Sequence, residues 1–313
     1  MTKNIKRIGI LRGGAGKYYN SSLQKGGEII MHIAENLNDK YKLVDILIDK
    51  DYIWHVNGVP VNPSDLIERV DMVWNTSHPS FSNILESLSI PYIGGGSFSF
   101  ALDNSKEMLR EHIETAGLKI PHSVVLPVYQ KDFDGPREKY AAQKAREVFE
   151  KFSSPWIVKS FTPDSNMGIH LAKTFPELVD AIEDGVKYDR SILVEEFIAG
   201  KVASVHSVLG FRSDPPAQAG EIYTFPLGNS FGIFSTEEKE QLTNTAKDLF
   251  KHIGAKHYLK SDFVLTPRNK VYLLQIEEIP DLKPNSHFSQ VCESVGARAH
   301  HVVEHILENG YLH

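Results

Sequence analysis

The chain has 313 residues, of which 41% are hydrophobic and 24% charged, with a formal net charge of −6. That length supports two or three packed domains, and the acidic balance speaks against a general nucleic-acid binder, which carries a basic excess. A single cysteine, Cys292, excludes an internal disulfide framework, and no apolar run approaches the roughly 20 residues of a membrane span. The opening run "MTKNIKRIGIL" is too short for a signal peptide, so the expected location is the cytoplasm.

In chain order, "KRIGILRGG", a helix over 23–36, "KLVDILID", "DMVWNTS" and "IPYIGGG" alternate apolar strands with helical patterning. This is the rhythm of a parallel sheet flanked by helices. The amphipathic stretch "ALDNSKEMLREHIETAG" predicts a helix stopped by Gly117 and Pro121. Then come a strand "SVVLPV", a charged helix over about 137–152, a strand "WIVKSF", a polar loop "TPDSNMG", a strand "IHLAKT" and a helix "FPELVDAIEDGV". From residue 191 strands dominate: "SILVEEFI", "VASVHSVLG" and "EIYTFPL", followed by a helix over 236–253 and a hairpin whose turn is "TPRN". The tail over 288–307 reads as helical.

That hairpin carries the most informative pattern. "KVYLLQIEEIP" opens as a buried strand and turns acidic at its tip, and alternation puts Gln275 and Glu277 on one face with Leu274 and Ile276 on the other. If Asp262 pairs opposite Gln275, then Lys260, Asp262, Gln275 and Glu277 converge, whereas a one-residue slip separates them. The question is whether they hold a metal ion.

Other motifs carry weaker signals. "GGAGKYY" ends in Gly-Lys after a strand, but a Walker loop requires Gly where Leu11 stands and Ser or Thr where Tyr18 stands. It reads as a glycine turn before a helix. Lys159 on an apolar strand must snorkel or meet an anion, and the loop behind it contains Ser165 and Gly168, suited to folding over phosphates through backbone N–H groups. Glu195 and Glu196 in "ILVEEFIAG" fit either a nucleotide-base reader or a solvated edge strand. Lys106 alone resembles any solvent-facing helical lysine. The fourteen histidines show no metal-ligand spacing, so surface or satisfied core positions are expected.

Taken in order, "RIGILRGG", "SIPYIGGGSFSFALDNSKEMLREHIETAGLKIP", "WIVKSFTPDSNMGIHLAKT", "ILVEEFIAG" and "LKSDFVL" with "VYLLQIEEIP" resemble the ATP-grasp superfamily, most closely the D-alanine–D-alanine ligases. The resemblance implies a mixed α/β and α+β chain with the ATP-grasp fold. It would comprise a Rossmann-like N-terminal domain over 1–95, a central subdomain over 96–190 and a C-terminal subdomain over 191–313, with ATP held between the last two. By position, Lys106 and Lys159 match the lysines that contact ATP phosphates. Glu195 matches the adenine-amine acceptor, and Glu196, Phe197, Ile198 and Leu274 fall in adjoining nucleotide-site positions. Ser165 matches the serine that orients the first amino acid. Lys260 stands where the family has a phosphate-binding arginine, and Asp262, Gln275 and Glu277 occupy the magnesium-ligand positions.

The family writes Glu-x-Asn-x-x-Pro where this chain writes Gln275-Ile276-Glu277-Glu278-Ile279-Pro280, an exchange that keeps the formal charge. Val202 replaces a ribose-binding carboxylate, and Asp281 replaces the glycine after the proline. The implied activity is ATP- and magnesium-dependent joining of two amino acids through an acylphosphate, serving cell-wall peptidoglycan, in a cytoplasmic homodimer with no nucleic-acid or membrane partner. The alternatives are a ligase with other amino-acid or peptide substrates, and a non-catalytic ATP-grasp protein that binds nucleotide or a partner.

Overall fold

The structure is a computed structural model that describes residues 5–14, 16, 18–95, 111–115, 117–129, 133–161, 167–188, 191–212, 220–227 and 233–310. The chain divides into two compact units, one formed by Met1–Leu118 with Lys201–His313 and the other by Lys119–Gly200.

In the first unit, β1 (Lys6–Gly13), β2 (Tyr41–Ile48), β3 (Trp54–Val56), β4 (Val59–Val61), β5 (Met72–Asn75) and β6 (Tyr92–Ile93) form a sheet of order β4-β3-β2-β1-β5-β6. β1 runs parallel to β2 and β5, and β5 to β6. β1 is buried on both faces, which is why it reads as a continuous apolar run and not as an alternation. Ile8 and Ile10 enter one core together with Ile29 and Ile33 of α1 (Tyr19–Asn36). Leu11, Ile46 and Val73 enter another with Phe81 and Leu85 of α2 (Ser80–Ser87). The β3–β4 hairpin is an addition to the elements anticipated above. Its Asn57-Gly58 loop takes positive φ at both residues (50° and 83°), as a type I′ turn requires.

The glycine turn after β1 forms as expected. Gly13 sits at φ +87°, where a Cβ would run into the Ile48 carbonyl, and its N–H donates to Ser22 Oγ of α1 at 2.9 Å.

The same unit contains an antiparallel sheet of order β12-β11-β13-β14, built from β11 (Lys201–Leu209), β12 (Ile222–Thr224), β13 (Tyr258–Leu265) and β14 (Val271–Glu277). One face packs on α5 (Thr236–His252), whose start is capped by Ser235 Oγ accepting from Glu238 N. The tail expected to be helical over 288–307 is two helices, α6 (His287–Ser294) and α7 (Ala299–Asn309). Gly296 at φ +69° ends the first in a left-handed turn that a continuous helix cannot contain. Phe288, Val291, Val302, Val303 and Ile306 from these helices share a core with Ile8, Ile33, Trp74, Val208 and Tyr258, which joins both sheets into one body.

In the second unit, β7 (Ser123–Leu126), β8 (Trp156–Ser160), β9 (His170–Ala172) and β10 (Ile192–Glu196) form an antiparallel sheet of order β7-β10-β8-β9. Trp156, Val158, Ile192 and Val194 point into a core shared with Tyr140 and Val148 of α3 (Arg137–Phe149) and with Leu178 and Ile182 of α4 (Phe175–Val186). By alternation, Ile157, Lys159, Leu193 and Glu195 project from the opposite face. The helix expected over 101–117 lies mostly outside the described residues.

Candidate active site

In the first unit the hairpin pairs in the register that brings its polar residues together. Asp262 lies opposite Gln275 and Lys260 opposite Glu277, and β11 adds Ser204 opposite Asp262 and His206 opposite Lys260. A bulge follows between Asp262 and Phe263, so Phe263 pairs with Leu273 and Leu274 is the extra residue. Without that bulge, Val271–Leu273 and Gln275–Glu277 could not both keep their registers.

The result is a compact cluster of charges. Lys260 Nζ sits 3.0 Å from Asp262 Oδ2 and 3.1 Å from Glu277 Oε1. Gln275 Nε2 donates to the same Glu277 oxygen at 2.8 Å, and Ser204 Oγ donates to Asp262 Oδ1 at 2.5 Å. The second Glu277 oxygen, Oε2, accepts from Lys25 Nζ of α1 at 3.1 Å. Burial disfavours the ionised Glu277, yet the Lys25 and Lys260 ammoniums outweigh it and hold the carboxyl below its usual range. Burial likewise works against the charged Lys260, and Glu277 and Asp262 reverse the effect and raise it. Glu278, one residue on, turns the other way and packs against Gly95, where a Cβ would collide with its carboxylate.

Behind this cluster lies a relay that sequence reasoning missed. Tyr258 Oη is 2.7 Å from His206 Nδ1, and His206 Nε2 is 2.8 Å from Nδ1 of His287, the first residue of α6. Burial, with Glu277 and Asp262 adding to it, pushes the Tyr258 ionisation well up, so its hydroxyl keeps its proton. In each of the two contacts one partner donates and the other accepts, the roles following the imidazole tautomers. Nothing in the spacing of His206, Tyr258 and His287 announces this; only the alternation of Ser204 and His206 on β11 hinted at a shared face.

Burial depresses the His206 imidazole well below 6.5, with His287 and Lys260 reinforcing the shift. Below about pH 6.5 the unfolded chain takes up a proton at this residue and the folded chain does not, so stability is full above that pH and declines as pH falls. We expect chemical denaturation to give a stability lower at about pH 5.5 than at about pH 7.5, with the protonation of His206 in the unfolded chain contributing to the loss. In His206→Asn the pH slope should flatten by about one proton, and an unchanged slope would place the titration elsewhere.

The second unit holds the other sequence-predicted residues. Lys159 pairs in register with Leu193, and Glu195 with Ile157, so both project from the face opposite the helices and meet at 2.5 Å. Glu195 is 8% exposed. Glu196 turns its carboxylate back to β7, where the His122 N–H donates to Oε2 at 3.2 Å. Phe197, whose N–H donates to the Pro155 carbonyl at 2.9 Å, is exposed, and Ile198 is half-buried. Lys106 and Ser165 lie outside the described residues. Among the described residues no group of three or more His, Cys, Asp or Glu side chains is placed to hold a metal ion, consistent with an amide at position 275.

An antiparallel sheet carrying a lysine–glutamate pair in one unit, and a hairpin with clustered lysines and carboxylates in the other, are the elements of an ATP-grasp fold. Solved structures agree. The VanG D-Ala:D-Ser ligase from Enterococcus faecalis superposes with a TM-score of 0.71 at 18% identity, covering 98% of this chain and 100% of that one. The D-alanine–D-alanine ligase from Bacillus anthracis complexed with ATP gives 0.68 at 18% identity, covering 98% and 97%. The family model described as the D-ala D-ala ligase C-terminus matches residues 112–224 and 231–308. The chain therefore belongs to the D-alanine–D-alanine ligase family. Among curated relatives, the D-alanine–D-alanine ligase of Geotalea uraniireducens (strain Rf4) is 26% identical over 96% of this chain and 94% of its own length.

Proposed function

We propose that the chain is an ATP-dependent carboxylate–amine ligase that joins two amino acids, with D-alanine as the first substrate. The observation that carries this reading is the cluster of Lys260, Asp262, Gln275 and Glu277 on one face of the β13–β14 hairpin, in a chain whose relatives along nearly its whole length are D-alanine–D-alanine ligases. Asp262, Glu277 and the Gln275 amide oxygen make an all-oxygen donor set, and the two carboxylates already share a cation in the Lys260 ammonium. Such a set suits a magnesium ion, which takes oxygen ligands and completes its shell with phosphate and water. When bound there, the ion would supply charge neutralisation on the nucleotide phosphates.

The chain's own residues do the positioning. Lys159 and Lys106 would hold phosphate oxygens, and Lys260 would follow the charge that develops on the transferred phosphoryl group. Glu195, with Glu196, Phe197, Ile198 and Leu274 nearby in the assignment, would take the adenine. Ser165 would orient the first amino acid. The substrate carboxylate attacks the γ-phosphorus and ADP leaves; the second amino acid's amine then attacks the acyl carbon and phosphate departs. Holding both reactants aligned accounts for most of the rate, because effective molarity replaces chance encounter. The divisions at about 95 and 190, a homodimer and a cytoplasmic setting complete the reading; no described helix is long and apolar enough to cross a membrane.

Coupled-assay measurement of ADP tests it. With ATP and magnesium, ADP release should rise at least about tenfold on adding D-alanine. Release that is the same with and without every D- and L-amino acid supplied would remove the ligase assignment.

A further inference from the structure

Lys25 is assigned no part in the reaction outlined above, yet it reaches the centre of the cluster. Three residues on one face of α1 grip the end of β14 and the segment that follows it. Lys25 Nζ donates to Glu277 Oε2 at 3.1 Å, Glu28 Oε2 accepts from Leu282 N at 3.1 Å, and His32 Nε2 lies 3.0 Å from the Leu282 carbonyl. Their spacing of three and four residues is that of one helical face. The helix that carries Lys25 is thus docked beside Glu277, and the Lys25 ammonium reaches the cluster from it on a flexible stem.

The charges explain what this achieves. Asp262 and Glu277 bring two negative charges, Lys25 and Lys260 two positive ones, and Gln275 none, so the cluster is neutral before any ligand arrives. Both oxygens of Glu277 are engaged, Oε1 by Lys260 and Gln275 and Oε2 by Lys25. One divalent ion can be accommodated when the ammoniums swing on their flexible stems toward phosphate oxygens. A second has no further carboxylate among the described residues of the cluster and would be repelled by the first ion and by the two ammoniums now beside the phosphates. As an isolated ion pair, Lys25–Glu277 would contribute little to stability, since both side chains retain solvent contact.

We infer that Lys25 is a built-in cation of the phosphate site, held on Glu277 by α1 and shared with the bound triphosphate, so that the site takes one divalent ion per nucleotide. The inference rests on the ligase reading above and extends it to a positioning residue from the N-terminal helix.

The test uses the full chain with a non-hydrolysable β,γ-imido ATP analogue and manganese(II) as the spectroscopic probe. Electron paramagnetic resonance titration should show one tightly bound manganese per chain; two equivalent tight ions would overturn the inference. Lys25→Ala should weaken analogue binding about tenfold at low manganese, with much of the loss recovered as manganese is raised, because the missing charge-assisted contact is replaced by an added cation. Lys25→Arg, which keeps the charge, should stay within about twofold of the parent. Parent-like affinity and metal dependence in Lys25→Ala would leave Lys25 a structural ion pair and overturn the inference while the ligase reading stands. Failure of the parent chain to bind the analogue would remove both.

Discussion

Asp262→Asn is expected to lower kcat/KM by about a hundredfold or more while leaving the fold intact. Asp262 holds Lys260 at 3.0 Å and accepts from Ser204 at 2.5 Å. The asparagine amide is nearly isosteric and can still accept from Ser204, but it carries no charge for a divalent ion. The specific signature is in binding. Affinity for the magnesium–nucleotide complex should fall well beyond affinity for nucleotide measured with a chelator present. Equal losses in the two measurements would mean that Asp262 does not hold the metal.

Lys260→Ala is the second large effect, expected to reduce turnover by about a thousandfold. Lys260 is the only described ammonium that reaches both Asp262 and Glu277. Its removal takes away a phosphate-neutralising charge and leaves two carboxylates facing each other, which raises the Glu277 carboxyl toward or above its usual range. The pH profile should therefore lose activity on the acid side at a higher pH than in the parent chain. Lys260→Arg, which restores the charge and adds a planar fork for phosphate, should recover most of the rate. A Lys260→Ala variant with parent turnover would show that the cluster is not the phosphate site.

The hairpin was legible because two independent signals agreed. Alternation fixed which residues share a face, and "TPRN" fixed the turn, now seen in Asn269 at φ +57° and in the Thr266 N–H donating to the Lys270 carbonyl at 3.0 Å. Lys159 and Glu195 were each legible as odd polar residues on apolar strands, but their pairing was not, since it depends on how β8 and β10 register. The Asn57-Gly58 turn was present in the sequence as a plain I′ signal between two short strands, although runs of three residues give too little periodicity to register as strands. The break between α6 and α7 was equally local, at Gly296, but apolar spacing continues across it and masks the stop.

Lys25 and the His206 relay belong to another class. The partners of Lys25 and His32 lie roughly 250 residues away, and nothing in the pattern of α1 sets Lys25 apart from Lys40 or Lys42. His206, Tyr258 and His287 sit on three elements and look individually like ordinary core or surface residues. Such contacts are set by tertiary packing, which alternation and helical period do not encode.

The central claim is that a substrate carboxylate takes the γ-phosphoryl group before an amine displaces it. D-alanine labelled with oxygen-18 in its carboxylate, incubated with ATP, magnesium and the full chain, tests this directly, because departing phosphate keeps the carboxylate oxygen that attacked phosphorus. The account predicts a D-alanyl dipeptide and one labelled oxygen in the phosphate formed with it, both read by mass spectrometry. Phosphate released without label, with ADP formed and no dipeptide, would mean that water takes the phosphoryl group and would contradict the account.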